Sequence, residues 1–357
     1  MADHLTKKTF WDVKNVSFIT ATPDCDLLHP ESELSEPGDA LTETQYLGFN
    51  IPEHGINGMF YLWHHPNLGV VSGGAWAWQG VKRHNKQSEL FDMIAYVNDS
   101  CLVDDLLDYE LGGCRVQTIE PLKRHRIQYR DDIRGNHFDI ELEAMMPAVV
   151  LSTGKHLEQG MRTRGELTLR GRTYPVDSYT VRDRSWGQLR SEQLVDAPPL
   201  AWMNCVFDND FAFGCTAFDD VDSDPEWRET FIIPGGDNVR GGWVYRDGEV
   251  VPVLSATKRT VRDPDTLFPL AIDMTITDAA EREYELHGEV TAAANWRVWP
   301  NFESAVCSTR WTHGDLVGQG DTQECQWPDY VHAFAGDPTG AIARATSRRT
   351  HENVFEK

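Results

Sequence analysis

The chain has 357 residues, enough for two or three domains, and its composition is that of an ordinary globular protein, with 40% hydrophobic and 25% charged residues. Its formal net charge of −23 argues against nucleic acid as a partner, because a surface this negative repels a phosphate backbone. The twelve tryptophans indicate large apolar surfaces that also carry hydrogen-bond donors.

The N-terminus has no apolar signal core, and no run approaches the roughly 18 apolar residues of a membrane span, so we expect a cytoplasmic protein. The seven cysteines are odd in number, scattered and without a C-x-x-C pair, which predicts reduced thiols rather than disulfides. No set of histidines, cysteines and carboxylates has metal-ligand spacing. The sequence therefore predicts neither a metal nor a cofactor.

In chain order, the first clear element is an aromatic hairpin over residues 57–80, with a His-Pro-Asn turn. Residues 85–98 are the best helix candidate, although a strand that enters a loop is an alternative. In residues 137–145, Phe138, Ile140 and Leu142 alternate with acidic residues, which predicts a half-buried antiparallel strand. Hairpin turns follow at Arg170-Gly171, and later at Asp247-Gly248 and near Asp278.

A second aromatic hairpin over residues 200–220 is similar to the first, which suggests two β modules in one chain. Many short strands with frequent turns predict an all-β protein built as a sandwich or closed barrel. We expect an N-terminal module with a polar arm over residues 1–150, a second module over 151–337 and a polar tail over 338–357.

The stretch RDRSWG, residues 182–187, is the sharpest motif. On a strand, Asp183 and Ser185 share one face, while Arg184 and Trp186 share the other, where a guanidinium can stack on an indole. The structural interpretation is a buried ion pair that fixes a bend under the tryptophan. The functional interpretation is a cavity wall formed by Asp183, Arg184 and Trp186.

This stretch resembles the RDHSWG signature of the hydroxyneurosporene synthase-like family, which includes carotenoid 1,2-hydratases and attachment-locus proteins. The aromatic hairpin at residues 61–78, the segment 156–187 and the strand GQGDTQE at 318–324 also resemble that family, so the likeness covers roughly residues 40–330. It implies two lipocalin-like β-barrel modules packed side by side, with few short helices and an apolar cavity. It also implies cofactor-independent hydratase, dehydratase, isomerase or cyclase chemistry.

The resemblance implies that the signature histidine and tryptophan, with a tyrosine and an aspartate on a following strand, add water to an alkene by acid catalysis. This chain has Asp183 and Trp186 but places Arg184 at the histidine position. Arginine stays protonated and is a poor proton shuttle, although it could orient a substrate oxygen. The positions of the family's tyrosine and aspartate fall near Trp202 and Asn204, whose residue types differ.

Another acid then has to move the proton, and Glu324 is a candidate, because burial in an apolar barrel would raise its pKa. The alternative is an exposed carboxylate at the barrel rim. His65 shares a strand face with Tyr61 and Trp63 and could reach the cavity, although a histidine near a turn is more often structural. His156 and Glu158 form a further, weaker pair.

The sequence thus predicts an enzyme that hydrates, dehydrates, isomerises or cyclises a hydrophobic, terpenoid-like molecule. The alternative is a non-catalytic carrier of such a ligand. We expect this small molecule as the partner, a homodimer as one assembly state, and no metal site. The predicted catalytic residues are Asp183, Arg184, Trp186 and Glu324, and the predicted substrate contacts are His65, Trp63, Trp76, Trp202 and Asn204.

Overall fold

The computed structural model describes residues 14–29, 41–189, 198–220, 233, 237–296, 302–327 and 330–331. The predicted polar tail and most of the polar N-terminal arm lie outside these residues. The strands are β1 Phe18–Ile19, β2 Leu41–Ile51, β3 Ile56–His65, β4 Val70–Gln79, β5 Val81–Lys82, β6 Leu90–Asn98, β7 Asp108–Leu111, β8 Cys114–Glu120, β9 Arg124–Asp131, β10 Asn136–Ala144, β11 Val149–Leu151, β12 His156–Leu169, β13 Arg172–Leu189, β14 Leu200–Asp208, β15 Phe211–Phe218, β16 Val239–Arg246, β17 Glu249–Arg262, β18 Pro269–Asp278, β19 Glu283–Asn295, β20 Glu303–His313 and β21 Leu316–Gln326. Short 3₁₀ helices cover Pro23–Asp26, Pro52–His54, Pro66–Leu68, Asn85–Gln87, Asp99–Cys101 and Asp104–Leu106.

The first barrel is one antiparallel sheet in the order β6-β4-β3-β2-β13-β12-β10-β9-β8-β7, with β11 paired to β12 and β1. Its interior is apolar, and Phe138, Ile140 and Leu142 point into it from β10. The predicted alternation of this strand is therefore confirmed, because the acidic residues between them lie on the outer face.

The second barrel contains β14 to β21 in sequence, and a pairing between β18 and β19 closes the ring. Phe213, Met203 and Trp311 are among its buried core residues. Strand β5, from the N-terminal half of the chain, adds to β19 in parallel. The prediction of two lipocalin-like antiparallel barrels is confirmed.

The change from the first sheet to the second falls between β13 and β14. Strands β12 and β13 pair with β10 and β2, so the first sheet continues beyond residue 150, where the sequence places the module boundary. The division into modules over residues 1–150 and 151–337 stays a prediction.

The predicted tight turns are present. Arg170-Gly171 and Asp247-Gly248 both have positive φ at both positions, the conformation that matches a two-residue turn to the twist of its strands. The helix predicted for residues 85–98 is wrong, because only Asn85–Gln87 is helical and strand β6 follows, which agrees better with the strand alternative.

The two barrels pack against each other through a cluster of large aromatic side chains. Tyr61, Trp63 and Trp76 come from the outer face of the first barrel, and Trp296 and Trp327 come from the second part of the chain. The edge of Tyr61 meets the ring of Trp296 at a centroid distance of 4.5 Å. Burial of aromatic surface between the barrels therefore contributes to their association.

We predict that Gly320→Ala destabilises the protein by about 1–3 kcal/mol or more, because a side chain there pushes β21 away from β14. A Cβ at Gly320 would lie 1.8 Å from the carbonyl oxygen of Asn204. Chemical denaturation measures the change. Gly160→Ala is the control, because its nearest neighbours are the flexible side chains of Met145 and Met146. Equal midpoints for the two variants would contradict the prediction.

Candidate functional site

A cleft lies between the barrels, where β12, β13 and β2 face β14 and β21. Its volume is ≈ 30 Å³, which holds water but not a drug-sized molecule. The described residues that line it include three carboxylic acids and two tryptophans but no lysine or arginine; the acids are Glu158, Asp183 and Asp321, and the tryptophans are Trp202 and Trp296.

Strand register builds the first wall of the cleft. Glu158 pairs with Asp183 across β12 and β13, and Asp183 pairs with Tyr46 across β13 and β2. Directly opposed residues in adjacent strands have neighbouring side chains on one face of the sheet. Two carboxylates and a phenol therefore stand side by side in one row.

Asp321 of the second barrel faces this row and is held by side chains of the first barrel. Its Oδ2 accepts hydrogen bonds from the Tyr46 hydroxyl at 3.0 Å and the Thr180 hydroxyl at 3.3 Å. Its Oδ1 accepts from the Asn57 amide at 2.9 Å. The Asp321 backbone N–H donates to Asn204 Oδ1 at 3.0 Å, so the second barrel fixes the same residue from behind.

Burial raises the pKa of Asp321 above the usual 3.8, and the hydrogen bonds from Asn57, Tyr46 and Thr180 oppose this shift only in part. Burial also raises the pKa of Tyr46 well above 10, and the neighbouring Asp321 and Asp183 carboxylates raise it further. Asp321 is thus a carboxyl group that retains its proton at a higher pH than an exposed aspartate does.

Glu158 is held by two donors. Trp243 Nε1 donates to its Oε2 at 2.5 Å, and His156 Nε2 lies 3.0 Å from its Oε1. His156 Nδ1 lies 2.8 Å from the hydroxyl of Ser185. Gly214 makes room for this arrangement, since a Cβ there would lie 2.5 Å from Glu158 Oε2.

Of the residues predicted from the sequence, the structure brings Asp183, Trp202 and Asn204 together in the cleft. Trp63 and Trp76 lie in the aromatic cluster behind it, where Trp76 Nε1 donates to the Ser88 hydroxyl at 2.8 Å.

His65 does not line the cleft. It is buried beside Trp63, as its position on β3 predicts, and its Nδ1 bonds the Leu41 carbonyl oxygen at 3.1 Å.

The predicted position of Arg184 in the cavity wall is wrong, because the cleft lies on the face of Asp183 rather than that of Arg184. The Arg184 side chain is fully buried, and its Nη2 donates to Glu43 Oε1 at 2.5 Å and to the Leu27 carbonyl at 3.0 Å. Burial alone would raise the pKa of Glu43, but hydrogen bonds from His29 and His64 and the Arg184 charge hold it at about 2. The ion-pair partner of Arg184 is therefore Glu43.

Trp186 is also absent from the described lining of the cleft. The register of β13 with β2 shifts between Ser185 and Gln188, and Trp186 packs on Leu157 and stacks on the ring of His29 at 4.6 Å. The register shift next to this tryptophan therefore coincides with its packing against Leu157 and His29.

Glu324 is neither at the rim nor in the cleft. It lies on the opposite face of β21 from Asp321, buried in the second barrel, and Arg262 holds both its oxygens at 2.7 and 2.8 Å. The prediction of an apolar environment was wrong, and Arg262 with Lys258 balances its charge.

The sequence did not identify Asp321 and Tyr46 as site residues, and it ranked Glu158 low. Asp321 lies within the strand 318–324 that we singled out, and it alternates with Gln319 and Gln323 on one face. That polar face was the available signal, but a single strand does not show which of its faces meets the other barrel.

Within the described ranges, no three histidine, cysteine, aspartate or glutamate side chains are placed to bind a metal ion. A search of the same residues for a helix long and apolar enough to cross a membrane also finds none.

The two barrels and the cleft between them define a tandem lipocalin-like protein. The model of a domain of unknown function, DUF7064, matches residues 29–329, so the chain belongs to that family. No curated protein sequence matches the chain.

Solved structures with the same fold include kievitone hydratase from Nectria haematococca, CghA, and an AttH-like protein from Nitrosomonas europaea. Kievitone hydratase is 13% identical, has a TM-score of 0.50, and the match covers 90% of this chain and 99% of that one. CghA is 10% identical with a TM-score of 0.51, covering 88% and 97%. The Nitrosomonas protein is 13% identical with a TM-score of 0.51, covering 84% and 97%. At these low identities, the similarity to the three structures shows a shared fold alone.

We predict that Arg184→Met destabilises the protein by about 3–5 kcal/mol, because it leaves the buried Glu43 carboxylate without its cation. Adding Glu43→Gln should recover much of this loss, whereas adding Asp183→Asn should not. Urea denaturation of the three proteins measures both effects. If Asp183→Asn restored stability instead, the ion-pair partner of Arg184 would be Asp183 rather than Glu43, which would contradict the prediction.

Proposed function

We propose that the protein is a cofactor-independent enzyme that hydrates, dehydrates, isomerises or cyclises a hydrophobic, terpenoid-like molecule in the cleft between the barrels. The observation that supports this most is the buried Asp321 carboxyl, whose pKa is raised, opposite two further carboxylates in an aromatic cleft. A pair of acids in different environments is the usual means of acid and base chemistry at neutral pH.

The chemistry follows from the positions of these groups. Protonated Asp321 gives its proton to one carbon of an alkene, and the π bond supplies the electrons of the new C–H bond. The faces of Trp202 and Trp296 shield the cation formed on the other carbon. Water then attacks the cation and loses a proton to a carboxylate of the first wall, Asp183 or Glu158. Loss of a proton from a neighbouring carbon instead gives an isomer.

Tyr46 is a positioning residue in this scheme. Its hydroxyl donates to Asp321 Oδ2, and its own proton is retained because its pKa lies well above 10. The bond therefore directs the acid without competing for the proton that the substrate receives. Gly48 gives the phenol this position, since a Cβ there would lie 2.4 Å from the Tyr46 oxygen.

The lining also favours a class of substrate. The described cleft residues present carboxylates and amides but no cationic side chain, so an anionic group such as a diphosphate would be repelled. We propose a neutral molecule whose hydroxyl donates to a carboxylate. Because the cleft has a volume of only ≈ 30 Å³, binding requires side chains such as half-buried Trp202 to move.

The structural neighbours support the same proposal. One of them is kievitone hydratase, an enzyme named for the addition of water, and it shares the fold over nearly its whole length. The carrier alternative uses the same cleft without proton transfer, so Asp321 would then have no chemical role.

We predict that Asp321→Asn lowers kcat by roughly 100-fold or more, because an amide cannot donate the proton. Stability gives an independent readout. Since the folded-state pKa is raised, the wild type loses stability as pH rises from 3.8, where the unfolded chain ionises, to the folded-state pKa. The variant should lack this loss, so its stability relative to wild type should increase with pH across that window. Parallel pH–stability curves would contradict the prediction.

The function is tested by incubating the protein in deuterium oxide with geraniol, nerolidol, farnesol and geranylgeraniol, followed by mass spectrometry. We expect at least one of these alcohols to gain deuterium or D₂O with wild type but not with Asp321→Asn. Native mass spectrometry of the same mixtures measures binding. Stoichiometric binding to both proteins without deuterium uptake would support the carrier, and no binding at all would rule out the terpenoid-like substrate.

A further inference from the structure

His156 lies beside the cleft, on the strand next to the RDRSWG stretch. It pairs with Ser185 across β12 and β13, two residues along the strands from the pair of Glu158 and Asp183. Its ring is buried, with Ser185 Oγ 2.8 Å from Nδ1 and Glu158 Oε1 3.0 Å from Nε2. The imidazole is thus clamped between a hydroxyl and a carboxylate that lines the cleft.

The chemistry of these partners fixes the tautomer of a neutral His156. An ionised carboxylate only accepts hydrogen bonds, so Nε2 must carry the hydrogen that is donated to Glu158. Nδ1 is then an acceptor, and the Ser185 hydroxyl donates to it. Ser185 therefore holds the imidazole in the tautomer that binds the glutamate.

Glu158 is immobilised at both oxygens, because Trp243 donates to Oε2 while His156 donates to Oε1. Each carboxylate oxygen still has a lone pair free for a proton from the cleft. Glu158 and its cross-strand neighbour Asp183 are both half-buried, and Glu158 has these two hydrogen-bond partners. A base acts best when its geometry is fixed before the reaction.

We infer that Glu158 is the carboxylate that accepts the proton in the reaction, and that His156 is the positioning residue that holds it. This inference rests on the proposed function. As the attacking water forms its C–O bond, its O–H bond breaks and the proton goes to an oxygen of Glu158. Asp321, which gave its proton to the alkene, is left ionised, and exchange with solvent after product release restores both groups.

The inference also explains how the site works with Arg184 in the signature. The arginine side chain is buried on the opposite face of β13 and pairs with Glu43. An imidazole from the adjacent strand β12 reaches the cleft face instead. The chemistry that a histidine at position 184 would supply is thus divided between Glu158 and His156.

The first test is kinetic and uses whichever isoprenoid alcohol of the panel gains deuterium. Glu158→Gln should lower kcat by roughly 100-fold or more, whereas Asp183→Asn should change it by less than about tenfold. His156→Leu should lower kcat by roughly 100-fold with little change in KM, because the substrate still binds while the Glu158 carboxylate is misplaced. His156→Gln should restore most of kcat, since its amide N–H can donate to Glu158.

His65→Leu is the matched control, because that histidine is also buried but lies on β3 and bonds the Leu41 carbonyl rather than a cleft residue. A loss in Asp183→Asn with Glu158→Gln active would overturn the inference, as would a fully active His156→Leu. Either result with Asp321→Asn inactive leaves the proposed function intact. A fully active Asp321→Asn would instead refute the proposed function.

The second test does not need turnover. In ¹⁵N NMR spectra of the histidine-labelled full chain, His156 should show protonated Nε2 and unprotonated Nδ1, and Glu158→Gln should shift its resonances while His65 stays unchanged. Protonation at Nδ1 alone, or no response to Glu158→Gln, would overturn the proposed positioning.

Discussion

The burial of the Asp321 carboxyl between the two barrels is the constraint on which the site depends. This group belongs to the second barrel, yet Tyr46, Asn57 and Thr180 of the first barrel supply its hydrogen bonds. A buried carboxyl group without such partners would cost several kcal/mol. The buried acid therefore has its hydrogen-bond partners only when both barrels are in place, so the site depends on the association of the barrels.

The two faces of strands β13 and β21 carry charged residues with different surroundings. On β13, Asp183 faces the cleft, while Arg184 points into the first barrel and pairs with Glu43. On β21, Asp321 faces the cleft, while Glu324 points into the second barrel and pairs with Arg262. Each of these two charges is thus paired inside its own barrel, whereas the described lining of the cleft contains three acids and no lysine or arginine. This asymmetry suits acid–base chemistry on a neutral molecule.

The fold could be predicted from sequence because its signals are local: alternation in residues 137–145 and turns such as Asp247-Gly248 were correct. Within the site, alternation correctly separated Asp183 from Arg184. It could not decide which face meets the second barrel, since that contact joins residues such as Tyr46 and Asp321 that are far apart in the chain. For the same reason the sequence indicates Glu324 as the acid, although Asp321 on the other face of the same strand is the residue that lines the cleft.

Isotope-edited infrared spectroscopy of the full chain tests the central claim most directly, because it observes the proton on Asp321 itself. Wild type should show a protonated carboxyl C=O band that persists above pH 3.8, the usual aspartate pKa, and that is missing from the Asp321→Asn spectrum. If the band that the substitution removes has already disappeared by pH 3.8, Asp321 is an ordinary ionised carboxylate and cannot be the acid of this site.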